Sequence, residues 1–107
     1  MAEHSERRES VRVPMTFRVA TGEGHWVSCA GDLSINGLRL EDLSPFRFMP
    51  LTMVSLQLPD ELQPRQVQAV IKRYFIADQA VHAAAVFEGL DFDTEVAIAR
   101  CIDAYST

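Results

Sequence analysis

From Val11 onward apolar and polar residues alternate. Val11, Val13, Met15, Phe17 and Val19 fall on one face of an extended chain, and Arg12, Pro14, Thr16, Arg18 and Ala20 on the other. This period of two predicts a strand with one buried face. Pro14 has no amide hydrogen for a neighbour, so the strand is expected to lie at an edge there or to carry a bulge. Thr21-Gly22-Glu23-Gly24 reads as a turn. A second strand is predicted from about His25 to Leu33, with Trp26 and Ala30 on one face, Val27 and Cys29 on the other, and Trp26 in the core. Asn36-Gly37 then turns the chain into a third strand carrying Leu38 and Leu40 inward.

Leu43 to Pro50 holds two prolines together with Phe46 and Phe48, and reads as a loop crossing one end of the sheet. Alternation resumes from Leu51 to Leu58 and is broken from Pro59 to Pro64. Gln66 to Ile76 is a long strand candidate with Val67, Ala69, Ile71 and Phe75 on one face and Val70 and Tyr74 on the other. In the last strand, Ala80 to Glu88, Val81, Ala83, Ala85 and Phe87 are in step. Short strands at nearly regular spacing indicate an all-β barrel or sandwich rather than a βαβ sheet.

After Asp91 the period changes. Ile98, Cys101, Ile102 and Tyr105 share one helical face, and Asp91, Asp93 and Glu95 place negative charge where the helix dipole favours it. A carboxy-terminal α-helix packed on the strands is expected, capped by Asp91 or Thr94. Met1 to Ser10 is polar, without apolar periodicity, and is expected to stay mobile until something binds it. The chain thus divides into a tail, residues 1–10, and a folded unit, residues 11–107.

A length of 107 residues suits one domain. The net charge of -5 argues against binding DNA or RNA, which needs broad phosphate neutralisation, and against a single-strand binder with a basic, aromatic-lined groove. A local basic patch survives that exclusion. Of ten cations nine are arginine, and Arg7, Arg8, Arg12 and Arg18 fall close together; arginine clamps a phosphate or a base edge with a planar pair of donors. Cys29 and Cys101 are far apart and read as reduced core thiols, and His4, His25 and His82 have no metal-ligand spacing and are expected at solvent or satisfied edge positions. No apolar run approaches the ~20 residues of a membrane span, and no signal-peptide core follows the charged start, so a cytoplasmic protein without membrane insertion is expected. Nothing resembles a nucleophile elbow with a general base, so no enzyme, catalytic residue, metal or cofactor is expected.

Two motifs carry the chemistry. Arg8-x-x-x-Arg12 alone is weak, since about 0.7 such pairs arise by chance at this composition, and Glu3, Glu6 and Glu9 would make the segment an ordinary solvated tail. Asp32-x-Ser34-x-x-Gly37 is expected only about 0.02 times. Its purely structural reading is an Asx or Ser turn with positive φ at Gly37. As one site, the pieces match a phosphorylated guanine: arginine engages O6 and N7, a carboxylate accepts from the N1-H/N2-H edge, and arginine forks, a hydroxyl and backbone N-H groups take the phosphate.

Arg7-Arg8-x-x-x-Arg12 ahead of the first strand, Asp-x-Ser-x-x-Gly about twenty residues on, Val86-Phe87 near the end and a terminal helix together resemble the PilZ domain family, from Arg7 to Tyr105. The resemblance implies a six-stranded antiparallel β-barrel that binds the bacterial second messenger cyclic di-GMP. It implies that Arg8 and Arg12 hold guanine and phosphate, that Arg7 adds a contact, and that Asp32, Ser34 and Gly37 complete the pocket. The arginine ahead of the paired motif implies a stacked pair of ligand molecules. One departure is Ala85, where similar domains usually have glycine before the Val-Phe pair. Two outputs follow as expectations: a receptor relaying to an unknown effector as its tail becomes ordered, or a ligand-independent adaptor working through Phe46, Phe48 and the helix.

Overall fold

The computed structural model describes residues 11–20, 24–41 and 51–106. Arg7, Arg8, Phe46 and Phe48 therefore lie outside the described residues, as does most of the Thr21 to Gly24 turn. The elements are β1 (Val13–Ala20), β2 (Trp26–Leu33), β3 (Gly37–Leu40), β4 (Leu51–Leu56), β5 (Arg65–Ala77), β6 (Ala80–Glu88) and one helix, α1 (Phe92–Ser106). The strands pair antiparallel in the order β1-β2-β3-β6-β5-β4 and close on themselves through β4 and β1. That closure removes the exposed edges an open sheet would leave. The expected six-stranded antiparallel barrel with one carboxy-terminal helix is the observed fold.

Alternation builds the core. Phe17, Leu33, Leu40, Val54 and Leu56 point into the barrel and are fully buried, and Ile98 and Ile102, one helical turn apart on α1, join the same cluster. Pro14 sits where the missing donor is harmless: it pairs with Asp32 of β2, whereas β1 meets β4 only at Arg18 and Val19. Asp91 is the helix cap, its carboxylate accepting the Thr94 N-H at 2.8 Å while its carbonyl takes the Glu95 N-H. Arg65 ties the start of β5 to the start of α1, forking onto both Glu61 oxygens (2.8 and 2.7 Å) and reaching Asp93 (2.7 Å).

Four expectations are corrected. Trp26 is 39% exposed, on the outer face of β2 and not in the core. Tyr105 is also largely exposed, because the buried stripe of α1 ends at Ile102. His82 is buried, with Nε2 at 3.0 Å from the Ala77 carbonyl and its ring against Phe75, so it is neither at solvent nor fully satisfied: its Nδ1 has no partner. Finally, β5 does not keep one phase. Its pairing with β6 slips between Ile71 and Arg73, so a bulge at Lys72 puts Phe75 on the face opposite Val67, Ala69 and Ile71. Beyond the bulge the β5-β6 hairpin turns through Asp78 and Gln79, both at positive φ (50° and 64°), without the Asn-Gly that marks such turns in a sequence.

Ile98→Ala should cost about 2–5 kcal/mol in urea denaturation, because the helix stripe shares the barrel core. The Thr94 hydroxyl and N-H hold the Asp91 carboxyl below its usual range, and the Arg65 guanidinium does the same for Glu61. A depressed native pKa contributes stability above the unfolded value of about 4 and loses it as pH falls through the native value. The thermal midpoint of the wild type should therefore fall on acidification below about pH 4. Asp91→Asn, which keeps a capping oxygen but does not titrate, should flatten that fall.

Candidate functional site

The site grows from the tight turn that joins β2 to β3. The Gly37 carbonyl accepts both the Ser34 N-H (2.8 Å) and the buried Ser34 hydroxyl (3.2 Å). This closes the hairpin and sets a register in which Leu33 faces Leu38 and Asp32 faces Arg39. Gly37 is not among the glycines with positive φ, so the expected reason for it is replaced by another. A Cβ there would lie 2.0 Å from the Ala85 carbonyl oxygen, and one at Gly31 would lie 1.9 Å from the Arg39 carbonyl oxygen. These glycines let β3 pack closely between β2 and β6.

Asp32 alternates with Leu33 and so belongs to the outer face of β2, yet it is only 5% exposed. Two arginines close over it. Arg12 Nη1, just ahead of β1, donates to Oδ1 at 2.8 Å, and Arg39 Nη2 lies 2.8 Å from Oδ2. Arg39 also donates to Glu41 at 3.1 Å. Both arginine side chains keep substantial exposure, so each guanidinium is oriented by Asp32 and retains N-H groups facing solvent.

These groups border an open cleft of about 370 Å³. Arg12, Asn36 and Arg39 line one side, and Lys72, Arg73 and Phe75 of β5 the other. Arg73 stacks its guanidinium over the Phe75 ring at 5.1 Å. On a chain of net charge -5, four cations are gathered around one cleft. A larger groove of about 570 Å³ runs between α1 and the turn after Leu58. Its lining sets Asp60, Glu61 and Asp93 beside Arg65 and Arg100, with Arg65 paired to Glu61 and Asp93, and it holds no motif residue.

Of the sequence-predicted residues, the structure brings together Arg12, Asp32, Ser34 and Gly37. Asp32 orients cations, while Ser34 and Gly37 shape the turn. Arg7 and Arg8 are outside the described residues. Sequence reasoning missed Arg39, Lys72, Arg73 and Phe75. Arg39 had a signal: once Ser34 to Gly37 is a tight turn, counting back along both strands places residue 39 opposite residue 32. The β5 group had none, because the bulge that assembles it leaves no mark in the alternation. Among the described residues, no cluster of three or more His, Cys, Asp or Glu side chains is placed to hold a metal, and no helix is long and apolar enough to cross a membrane.

Comparison with known proteins identifies the family and the fold. The profile of the PilZ domain matches residues 4–104, and the chain belongs to the PilZ domain family. Domains of this family are generally cyclic di-GMP receptors, and typically receptors or adaptors rather than enzymes. No curated protein sequence matches the chain. Among solved structures, the Bacillus subtilis inhibitor of motility MotI/DgrA superposes with a TM-score of 0.72 at 17% identity, over 90% of this chain and 50% of that one. This chain thus spans about half the length of that protein. The PilZ domain of CeSA from a cellulose-synthesizing bacterium superposes at 0.62 with 19% identity, over 92% of this chain and 100% of that one. At these identities the likeness establishes the shared fold.

Gly37→Ala should destabilise the barrel by about 1–3 kcal/mol or more, since the Ala85 carbonyl is backbone that cannot step aside. Asp32→Asn should cost only about 1–2 kcal/mol, because the two released guanidiniums are already partly hydrated. Chemical denaturation of both variants checks the order.

Proposed function

We propose that this chain is a receptor for cyclic di-GMP and that the cleft beside Asp32 holds the ligand. The single observation that carries the reading is the Arg12–Asp32–Arg39 bridge: a buried carboxylate that presents two oriented guanidiniums to a cationic cleft. A guanine offers O6 and N7 as paired acceptors for an arginine fork, and a phosphodiester takes the remaining N-H groups. Asp32 acts by aiming the arginines. Ser34 and Gly37 act through the turn they form.

Arg8 and Arg7 precede Arg12, which stands at the mouth of the cleft, so a bound ligand draws the tail onto the barrel. That gives an effector a surface it reads only in the bound state, with the tail as the two-state element. The run of Arg7 and Arg8 favours two stacked ligand molecules.

Titration calorimetry with cyclic di-GMP tests this. The expected result is micromolar or tighter binding with two ligands per chain, weakened at least about tenfold by Arg12→Ala, the loss of one charge-assisted bond. No binding at about 100 µM ligand, roughly -5.5 kcal/mol, would remove the reading.

The adaptor reading is favoured by one observation: Phe92 and Tyr105 on α1 are 78% and 56% exposed. Apolar groups left outside the core suit a partner surface. If α1 docks a partner without nucleotide, Phe92→Asp abolishes capture and cyclic di-GMP has no effect on it. The receptor reading expects capture to depend on the nucleotide.

A further inference from the structure

The register across four strands places one row of residues on the outer face of the barrel. Asp32 of β2 faces Arg39 of β3, Arg39 faces Ala84 of β6, and Ala84 faces Arg73 of β5. Arg39 and Arg73 are thus two strand spacings apart, about 9–10 Å, with only the methyl group of Ala84 between them. The row is a trough with a guanidinium on each wall and a small floor.

The far wall exists because of the bulge. In a regular β5, Ile71 opposite Ala85 would be followed by Lys72 opposite Ala84, and Arg73 would turn toward the inner face. The extra residue instead puts Arg73 opposite Ala84 and leaves Lys72 exposed beside it, so both cations line the same cleft. Phe75, carried to the outer face by the same slip, lies under Arg73 at 5.1 Å and is itself backed by His82. Stacking fixes the plane of the guanidinium and leaves its N-H edge for an acceptor. Among the described residues neither Lys72 nor Arg73 has a carboxylate partner, whereas Arg12 and Arg39 share Asp32. The unneutralised half of the cleft is therefore the β5 half.

We propose that Lys72 and Arg73 form a second anion-binding wall, which takes a phosphate of the ligand across the Ala84 floor from Arg12 and Arg39. This rests on the reading of the cleft as a cyclic dinucleotide site. It adds that the ligand bridges β3 and β5, and that the bulge is the device that makes the bridge.

Calorimetry of cyclic di-GMP binding to the full chain tests it with six variants. Lys72→Gln and Arg73→Gln should each weaken binding about 5- to 20-fold and the pair by about 50-fold or more. Arg73→Lys should recover part of the loss, and Ala84→Leu, which fills the trough without adding or removing charge, should weaken binding at least about tenfold. Arg18→Gln removes the same charge from β1, outside the cleft, and should change affinity less than about twofold. Lys72 and Arg73 are exposed, so thermal midpoints within a few degrees of wild type confirm that folding is unaffected. If the wild type binds and the double variant binds as well as Arg18→Gln, the second wall is wrong and the receptor reading stands. If the wild type itself does not bind, both fall.

Discussion

The arrangement depends on one close approach, the backbone of β3 lying against β6 at Gly37, where a single added carbon would strike the Ala85 carbonyl. Because β3 has only four residues, fixing its first residue fixes the strand. The Ser34 to Gly37 turn fixes one end against β2, and the Gly37 contact fixes it against β6. From that placement the row Asp32, Arg39, Ala84, Arg73 follows by register alone. A slip of one residue would send Arg39 into the core and Leu38 and Leu40 to solvent, which the burial of both leucines opposes. The hydrophobic pattern of a short strand thereby aligns a row of charges on its other face.

Electrostatics then divides the work between halves of the cleft. Near β2, cations and carboxylate compensate each other: Asp32 stays buried because Arg12 and Arg39 cover it, and they stay oriented because it is there. Near β5, Arg73 rests on the Phe75 ring, and among the described residues neither it nor Lys72 has a carboxylate partner. A preset half and an uncompensated half suit an anionic ligand, since the first limits the ordering cost and the second supplies the attraction. The groove along α1 differs, with three carboxylates, Asp60, Glu61 and Asp93, against Arg65 and Arg100.

Much of this was legible in the sequence. Alternation marks Phe17, Leu40, Val54 and Ala83 as inward positions, the period change after Asp91 marks α1, and the improbability of Asp-x-Ser-x-x-Gly marks the turn. What was hidden has physical causes. Trp26 obeys the alternation of β2, but on the outer face, which hydrophobicity alone does not reveal. Gly37 was expected for its backbone angle and is needed for its missing Cβ, a distinction that requires the neighbouring strand. The bulge at Lys72 depends on pairing with β6, so Phe75, Arg73 and Lys72 could not be assigned to the cleft from β5 alone. Barrel closure through Arg18 and Val19 is likewise a long-range fact.

Cyclic di-GMP is proposed to lie across the outer face of β2, β3, β6 and β5. Backbone amide chemical-shift mapping of the nitrogen-15-labelled protein during titration with the nucleotide tests it most directly. Shifts are expected to concentrate at Arg12, Asp32 to Arg39 and Lys72 to Phe75, with α1 nearly silent. Shifts confined to α1 and the turn after Leu58, or no shifts at all, would contradict it.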